Sequence, residues 1–353
     1  MKVCQALAQV GATVQLWVPG NLHTPWAEMA ALYGLSTSFE VAWLAANPSL
    51  KRYDFAIAAM RQAGRMKADL IYTWLPQAAL LGLLEGKPVV LEVHDRPTGR
   101  FGPWLLRKTA STRGHKRLAI ITQALLRALR DEFGLETRDG EVVITPNGVD
   151  LERFSGIPLP AEARRQLNLK DQLTAVYSGH LYAGRGMDLL LGLARRLPHM
   201  QFLWVGGQPA AVEAWREKIQ QAGMKNIVLT GFVENRRLPL YQAAGDFLLM
   251  PYERAVEGSG GGNSADICSP MKMFEYLACG RVILTSDLPV LREVLHPGNA
   301  VFCPPEDEDG WYSALAALLG DPERVRALSR QAAIDAEKYS WRARAEKTLQ
   351  GFV

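Results

Sequence analysis

Residues 269–285 read Ser-Pro-Met-Lys-Met-Phe-Glu-Tyr-Leu-Ala-Cys-Gly-Arg-Val-Ile-Leu-Thr, and this stretch decides how the second half of the chain folds. Serine followed by proline predicts a helix start, Gly280 predicts its end, and the apolar residues that follow predict a buried strand. Short runs of this kind alternate with longer helical stretches along the whole chain. The alternation predicts an α/β fold, with parallel sheets that are covered by helices on both faces.

Strands are predicted at regular intervals in both halves. In the first half they are Thr13–Val18, Phe39–Trp43, Leu70–Trp74, Val89–Val93, Leu118–Thr122 and Val142–Thr145. In the second half they are Thr174–Ser178, Phe202–Val205, Ile227–Thr230, Phe247–Met250, Val282–Thr285 and Ala300–Phe302. The 353 residues suffice for two domains of about 150 residues each. We therefore expect two Rossmann-like, doubly wound domains that face each other across a cleft, with ligands at the carboxyl ends of the strands.

A proline-containing connection at residues 155–160 suggests the domain boundaries. We expect an N-terminal domain over residues 1–154, a C-terminal domain over residues 155–338, and a helix over residues 339–353 that packs back toward the N-terminal domain. The chain begins with a predicted helix, Lys2–Val10, whereas the first strand of an open α/β sheet is usually central. The first strand of the N-terminal domain is therefore expected to be missing.

Composition narrows the class of protein. With 48% hydrophobic and 22% charged residues, the chain is typical of a globular protein and unlike a disordered or collagen-like one. No apolar stretch reaches the roughly 20 residues that a membrane span needs, and no signal peptide is recognised. The four cysteines have no metal-ligand spacing and favour a reducing compartment. A cytoplasmic location is therefore expected.

The excess positive charge is concentrated in one segment. Arg96–Arg130 carries nine cations and no acidic residue, and its opening part contains Phe101, Trp104, Leu105 and Leu106. Aromatic residues beside cations suit peripheral contact with an anionic membrane, at the inner membrane surface. A solvated basic helix with its apolar side in the core is the alternative. No nucleic-acid-binding motif accompanies the charge, so no nucleic acid partner is expected.

The stretch that decides the fold also carries candidate chemistry. Ser269 and Pro270 at a helix start leave backbone N–H groups that can bind an anion. Lys272 and Glu275 are three residues apart and share a helix face, which would place a cation for a phosphate beside an acceptor for sugar hydroxyls. A solvated Lys–Glu pair on a surface helix is the alternative, but it does not account for the flanking residues.

Two other stretches are weaker candidates. Residues 258–262, Gly-Ser-Gly-Gly-Gly, are too far from a predicted strand and helix to bind a dinucleotide and are interpreted as a mobile loop. Asp307 and Asp309 are similar to an acidic pair that holds a divalent cation, but they lie at an apparent helix start, where acids favour the helix dipole. We therefore expect no metal and no cofactor.

Five further motifs follow one another in a fixed order. They are Val143–Phe154, Tyr177–Gly186, Leu203–Gly207, Val228–Val233 and Leu240–Tyr252. Together with the stretch from Ser269, they make the chain similar, over nearly its whole length, to the retaining GT-B glycosyltransferases of family 4 (glycosyl transferases group 1). The resemblance implies a GT-B fold and metal-independent transfer of a sugar from a nucleoside-diphosphate sugar to a glycan, lipid-linked or small-molecule acceptor, with retention of configuration.

The resemblance also implies a role for individual residues on the donor side. Arg185 and Lys272 would hold the donor diphosphate, Ser269 and Pro270 would supply backbone groups near it, and Glu275 would bind the ribose hydroxyls. A second group of residues completes the donor site. Gly231, Phe232 and Val233 would hold the nucleotide base, and Gly179 and Gly207 would line the site.

His94 is the implied catalytic residue of the N-terminal domain, together with Arg185 and Lys272 of the C-terminal one. It ends the run Leu91-Glu-Val-His-Asp95, where the family keeps a histidine that faces the donor sugar. A lone histidine is more often structural, but a position at the carboxyl end of a strand favours the functional interpretation.

Two positions depart from the family pattern. Ile267 stands where the family has the first acid of a Glu-x7-Glu motif, and His180 stands where a Gly-Arg-Leu motif has arginine. Two alternatives therefore stay open. One is a nucleotide-sugar epimerase or phosphorylase of the same fold. The other is an inactive or truncated nucleotide-sugar-binding protein.

Overall fold

The structure is a computed structural model and describes residues 1–256 and 263–352. The glycine-rich residues 258–262 lie outside the described residues. The chain forms two compact units. The first comprises Met1–Pro146 and the chain from Trp341 onward, and the second comprises Asn147–Ser340.

The division between the units falls earlier in the chain than the sequence-based boundary after residue 154. The hydrogen bonds of Asn147 explain the difference. Its backbone N–H donates to Ser269 Oγ (3.0 Å), and its side-chain amide donates to the Ser269 carbonyl (2.6 Å). These bonds attach Asn147 to the second unit directly after the last strand of the first.

Six parallel strands form two sheets in the first unit. They are β1 (Gln15–Pro19), β2 (Glu40–Leu44), β3 (Ile71–Thr73), β4 (Val89–Val93), β5 (Lys116–Ile120) and β6 (Val142–Ile144). One sheet pairs β1 with β2, and the other has the order β3-β4-β5-β6. In the part of the chain that the structure describes, no strand pairing joins the two sheets. Every residue of β4 is buried, so this strand forms the centre of the larger sheet.

Helices connect these parallel strands. They are α1 (Lys2–Gln9), α2 (Trp26–Tyr33), α3 (Tyr53–Arg65), α4 (Pro76–Leu84), α5 (Gly102–Ser111) and α6 (Gln123–Phe133). The helix predicted at the start of the chain is present as α1. Its Val3, Cys4, Ala6 and Leu7 are buried, and its Gln5 side chain accepts from the backbone of Ser36 (2.7 Å).

The second unit is a single six-stranded parallel sheet. Its strands are β7 (Thr174–Ser178), β8 (Gln201–Val205), β9 (Ile227–Leu229), β10 (Phe247–Met250), β11 (Val282–Ser286) and β12 (Ala300–Cys303). Its helices are α7 (Pro160–Gln166), α8 (Met187–Arg196), α9 (Pro209–Gln221), α10 (Leu238–Ala243), α11 (Met271–Cys279), α12 (Glu308–Leu319) and α13 (Pro322–Ala336). The strand order β12-β11-β10-β7-β8-β9 is that of a doubly wound sheet, and its direction of winding reverses between β7 and β10.

The last helix, α14 (Trp341–Leu349), belongs to the first unit. Its Trp341 and Ala345 share a buried cluster with residues of α1. Arg117 donates to the backbone carbonyls of Thr348 (2.7 Å) and Gln350 (2.9 Å). These contacts hold the end of α14 against β5.

The predicted strands Val89–Val93, Thr174–Ser178 and Phe247–Met250 are confirmed at both ends. The prediction for β5 is wrong by two residues at each end. The strand begins at Lys116, whose ammonium is buried and paired with Glu141 (2.8 Å). Thr122 instead caps α6, because its hydroxyl accepts from the Leu125 N–H (3.0 Å).

None of the helices that the structure describes is long and apolar enough to cross a membrane.

Candidate functional site

The crevice of the second unit lies where the winding direction of its sheet reverses, at the carboxyl ends of β7 and β10. The strand ends approach one another closely there. A Cβ on Gly206, which follows β8, would lie 2.5 Å from the Gly179 carbonyl oxygen, and both glycines have positive φ (110° and 145°). Glycine at these positions therefore keeps the backbone close and leaves the crevice open above it.

Lys272 extends from the first turn of α11 into this crevice. Its Nζ is closed off from solvent and, among the described residues, has no hydrogen-bond partner. The ammonium lies over the Tyr177 ring, 3.9 Å from the ring centroid, and 5.4 Å from that of Tyr252. Burial lowers the pKa of Lys272 well below its usual value, and the charge of Arg185 lowers it further. An anion would supply the counter-charge that this site lacks.

Arg185 lies beside Lys272 on the loop that precedes α8. Two glycines at positive φ, Gly184 (84°) and Gly186 (68°), flank it and let the loop pack on the backbone after β10. Its guanidinium lies 4.9 Å from the ring centroids of both Tyr182 and Tyr252 and donates to the Tyr182 hydroxyl (2.7 Å). Its Nε is buried and has no partner among the described residues. Two cations therefore share an aromatic wall, and the described residues give neither of them a carboxylate partner.

The start of α11 adds a third positive element. Pro270 is the N-cap residue, and no side chain caps the first turn of this nine-residue helix. The backbone N–H groups of that turn carry the positive end of the helix dipole. Ser269 is bonded to Asn147 through both its hydroxyl and its carbonyl, which fixes where the helix begins.

Glu275 lies one turn further along α11 and is 6% exposed. Its Oε2 accepts from the Gln242 side-chain amide (2.9 Å), which also donates to Ser178 Oγ (3.1 Å). The alternative of a solvated Lys–Glu pair is therefore wrong, because both charged groups point inward. Glu275 and Lys272 are on neighbouring parts of the same crevice wall.

The three residues that the resemblance assigns to the nucleotide base follow β9 at the same edge of the sheet. Gly231 accepts from the Gly206 N–H (2.9 Å) at a φ of 69°, Phe232 is 70% exposed, and Val233 is half-buried. Gly207 packs against Leu181, and an added Cβ would lie 2.8 Å from that side chain. The edge is thus open, with one large apolar ring available for stacking.

His94 lies in the first unit, directly after β4. Its Nε2 is 2.5 Å from Glu92 Oε1, and the ring lines a cavity of about 500 Å³. The cavity wall combines cations and aromatic rings, among them Lys51, Arg52 and Trp74. The structure thus brings Arg185, Lys272 and the glycine turns together in one unit and places His94 in a separate cavity of the other.

The two departures from the family pattern have structural consequences. Ile267 is 2% exposed, so a buried apolar side chain stands where the family motif has its first glutamate. His180 stacks on Tyr182, with ring centroids 5.1 Å apart. Burial, followed by the nearby charges of Arg185 and Lys272, lowers the pKa of His180. At neutral pH this residue is therefore uncharged.

The basic segment Arg96–Arg130 is only partly a surface feature. Lys116 is 4% exposed and paired with Glu141, and Arg117 binds the carbonyls of the C-terminal residues. The apolar residues of the segment also differ in exposure. Leu105 and Leu106 are buried, whereas Phe101 (58%) and Trp104 (51%) are exposed. The buried residues cannot contact a membrane, the exposed part of the segment is centred on α5, and contact with an anionic membrane stays a prediction.

Asp307 and Asp309 act at a helix start. Asp307 caps α12 by accepting from the Gly310 N–H (3.1 Å), and Asp309 accepts from Arg196 (2.6 Å). This is the structural role that the sequence favours.

The residues that sequence reasoning missed are those that surround the predicted ones. Tyr177 and Tyr252 form the aromatic wall, and they lie in the motifs Tyr177–Gly186 and Leu240–Tyr252. Glu92 contacts His94 and is itself paired with Arg344. Glu92 could have been found from the sequence, because it is the one acidic residue in the otherwise apolar strand β4.

Two family descriptions match the chain. "Glycosyltransferase Family 4" matches residues 1–153, and "Glycosyl transferases group 1" matches residues 172–321. Among curated proteins, the phosphatidyl-myo-inositol mannosyltransferase of Mycolicibacterium smegmatis is 24% identical over 362 residues, which cover 97% of this chain and 85% of that protein.

Solved structures of similar fold include two sugar-related proteins. Sucrose-phosphate synthase from Thermosynechococcus elongatus has a TM-score of 0.76 at 18% identity and covers 99% of this chain and 91% of its own. HepE from Anabaena, in complex with UDP and glucose, has a TM-score of 0.74 at 16% identity. The match covers 99% of this chain and 95% of HepE. These likenesses show the GT-B fold. The two family matches, which between them leave only a short connection and the C-terminal residues uncovered, show that the chain belongs to the family 4, group 1 glycosyltransferases.

Proposed function

We propose that this glycosyltransferase takes a hexosyl group from a nucleoside-diphosphate sugar, without a metal, and transfers it with retention of configuration. The observation that carries the proposal is the buried Nζ of Lys272, which lies beside Arg185 and has no partner among the described residues. Leaving a buried charge unpaired is costly, so an anionic ligand is the natural occupant. A diphosphate supplies enough negative charge for two cations and a helix start.

The same groups suit the chemistry. When the bond between the anomeric carbon and the diphosphate breaks, negative charge develops on the leaving phosphate. Arg185, Lys272 and the first turn of α11 are already oriented to stabilise that charge, which is the largest contribution that such a site makes to catalysis. In the proposed mechanism they take the place of a divalent cation, and the donor phosphate helps to deprotonate the acceptor on the same face of the sugar.

The acceptor is proposed to bind at the first unit's cavity, beside His94. Lys51 and Arg52 suit an anionic group there, and Trp74 suits a sugar ring. The relative from Mycolicibacterium smegmatis is named for a lipid acceptor, which supports a lipid-linked acceptor here. The four free cysteines favour a reducing compartment and hence the cytoplasmic side of the membrane.

The test of the function is transfer itself. A panel of nucleotide sugars with glycan and lipid-linked acceptors should give a product whose anomeric configuration, read by NMR, equals that of the donor. Turnover should persist in excess EDTA. Loss of turnover in EDTA and its return with Mg²⁺ or Mn²⁺ would refute the metal-independent mechanism. A changed sugar without any acceptor would favour the epimerase alternative, and donor binding without turnover would favour the inactive one.

Contact with an anionic membrane is proposed for the exposed face of α5 and its neighbours. Phe101 and Trp104 would enter the interface, and Arg100, Lys108 and Arg113 would each contribute about 1 kcal/mol at an anionic surface.

In vesicle co-sedimentation, binding should need anionic lipid and weaken at high salt. Replacing Arg100, Lys108 and Arg113 by Gln should release the protein. The same replacement at the exposed Arg61, Arg65 and Lys67 is the matched control and should not. Equal release by both sets, or no binding at all, would favour a soluble acceptor.

A further inference from the structure

A buried carboxylate in the first unit joins His94 to the C-terminal helix. Glu92 lies inside β4 and is 2% exposed. Its Oε1 accepts from His94 Nε2 and from Arg344 Nη2, each at 2.5 Å, and its Oε2 accepts from the Tyr72 hydroxyl at 2.6 Å. Both oxygens of the carboxylate are therefore occupied by donors.

Glu92 is ionised at neutral pH. Burial alone would raise its pKa, but the hydrogen bond from His94 and the charge of Arg344 lower the pKa to about 2. An ionised carboxylate has no proton to donate and can only accept. Each group within hydrogen-bond distance of Glu92 must therefore present a hydrogen to it.

This requirement fixes the histidine. The neutral form of the His94 ring has one N–H, and in that form the short contact to Glu92 assigns the hydrogen to Nε2. The indole nitrogen of Trp74, 3.3 Å from the same Nε2, then packs beside the ring, since a protonated Nε2 has no lone pair to offer. Nδ1 is left as a hydrogen-bond acceptor. The side chain is 41% exposed and lines the first unit's cavity, so a ligand can reach it.

Arg344 supplies the charge that keeps Glu92 ionised. It reaches β4 from α14, 252 residues further along the chain. Its Nε also donates to the Pro146 carbonyl (2.9 Å), and its side chain is buried. The guanidinium is thus held in place on two sides and is not a mobile surface group.

We propose that Glu92, kept ionised by Arg344, is a positioning residue that holds His94 in the Nε2–H form, so that Nδ1 accepts a hydrogen bond from a hydroxyl group of the bound sugar or acceptor. The inference rests on the proposed function in one respect, the identity of the hydroxyl-bearing ligand. The tautomer and its cause can be tested without that ligand.

The first test reads the tautomer by long-range ¹H–¹⁵N correlation of the imidazole rings at neutral pH. The chain has six histidines, and the spectrum of His94→Ala identifies the signals of His94. The wild type should show the Nε2–H form. Glu92→Leu, whose side chain cannot accept a hydrogen bond, should shift it toward the Nδ1–H form or a mixture. Tyr72→Phe is the matched control, since it removes the bond to Oε2 and leaves the contact with His94, and it should show the wild-type tautomer.

Glu92→Leu leaves Arg344 without a counter-charge, and a variant that removes both charges guards against loss of folding. Glu92→Leu combined with Arg344→Leu removes both charges and gives the same tautomer readout in a neutral interior. Persistence of the Nε2–H form in a folded variant without Glu92 would overturn the proposal.

The second test is kinetic and separates this proposal from the function it rests on. Glu92→Leu should lower kcat at least tenfold, leave the KM for the nucleotide sugar unchanged, and have no further effect in the His94→Ala background. A full additional loss in that background would overturn the positioning role. A tautomer that shifts as expected, with normal turnover in His94→Ala, would support Glu92 as the residue that sets the tautomer, and would overturn both the hydrogen bond proposed for Nδ1 and the proposed placement of the acceptor beside His94.

Discussion

Two buried charged groups, Lys272 in the second unit and Glu92 in the first, have opposite surroundings. Glu92 has a donor on each oxygen, one of them the guanidinium of Arg344. Lys272 has the rings of Tyr177 and Tyr252 beside its ammonium, and no described residue accepts a hydrogen bond from it. Both side chains lie at or near the carboxyl end of a central parallel strand.

The difference indicates what each group does. A fully paired buried charge contributes to stability only while its partners remain, and removing one partner exposes the cost of burying the other. An unpaired buried cation weakens the folded state and is retained where a ligand completes it. Glu92 therefore orients groups of the protein itself, whereas Lys272 awaits a group from outside.

The largest expected effect is at Arg344. Arg344→Ala leaves the buried carboxylate of Glu92 without its counter-charge, which should lower the free energy of unfolding by about 3 to 5 kcal/mol in urea titrations. Arg342→Ala is the matched control on the same helix. Its pair with Glu346 is exposed, so the loss should be at most about 1 kcal/mol. Equal losses in the two variants would contradict the assigned difference between the buried and the exposed pair.

The pH dependence of stability should follow from the same carboxylate. Because the pKa of Glu92 falls from 4.5 to about 2 on folding, the unfolded chain binds more protons than the folded one between these values. The stabilisation is therefore present above about pH 4.5 and is lost as the pH falls toward 2. Arg344→Ala should flatten this part of the stability profile.

A smaller effect is expected at His180, in the second unit. Its pKa is lowered in the free protein by burial and by Arg185 and Lys272, and a bound diphosphate would raise it again. The complex would then hold more protons than the free protein, so affinity should increase as the pH falls. The exposed ring limits the gain to about 1 kcal/mol. His180→Gln should bind at neutral pH as the wild type does and lose this extra gain in calorimetry between pH 7.5 and 5.5. An identical profile in both proteins would exclude His180 from the site.

Local sequence patterns were enough to predict most of the sheet. The strand boundaries of β4, β7 and β10 follow from runs of β-branched and aromatic residues between turn signals. The crevice residues were predictable for a similar reason. The glycine turn before α8 and the Ser-Pro start of α11 are both encoded within a few residues of the cations that they position.

Interactions between distant parts of the chain were not predictable in this way. The pairing of Glu92 with Arg344 joins residues 252 positions apart, and neither position has a pattern that names the other. The same limit explains the error at β5, where Lys116 is buried only because Glu141 lies beside it. Leu105 and Leu106 are buried in the core. The sequence does not determine which face of α5 meets the core, so it allowed both membrane contact and core packing for these residues.

The central claim is that the unpaired cation of the second unit is the donor diphosphate site, and calorimetry on Lys272→Met tests it most directly. UDP, GDP and ADP are titrated into the wild type, into Lys272→Met, and into Lys225→Ala, an exposed lysine just before β9 and so at the opposite edge of the sheet. At least one nucleotide should bind the wild type and Lys225→Ala equally. Lys272→Met removes a charge-assisted contact of about 1.5 to 3 kcal/mol, so its Kd should rise at least tenfold. An unchanged Kd in Lys272→Met, or an equal loss in both variants, would contradict the account.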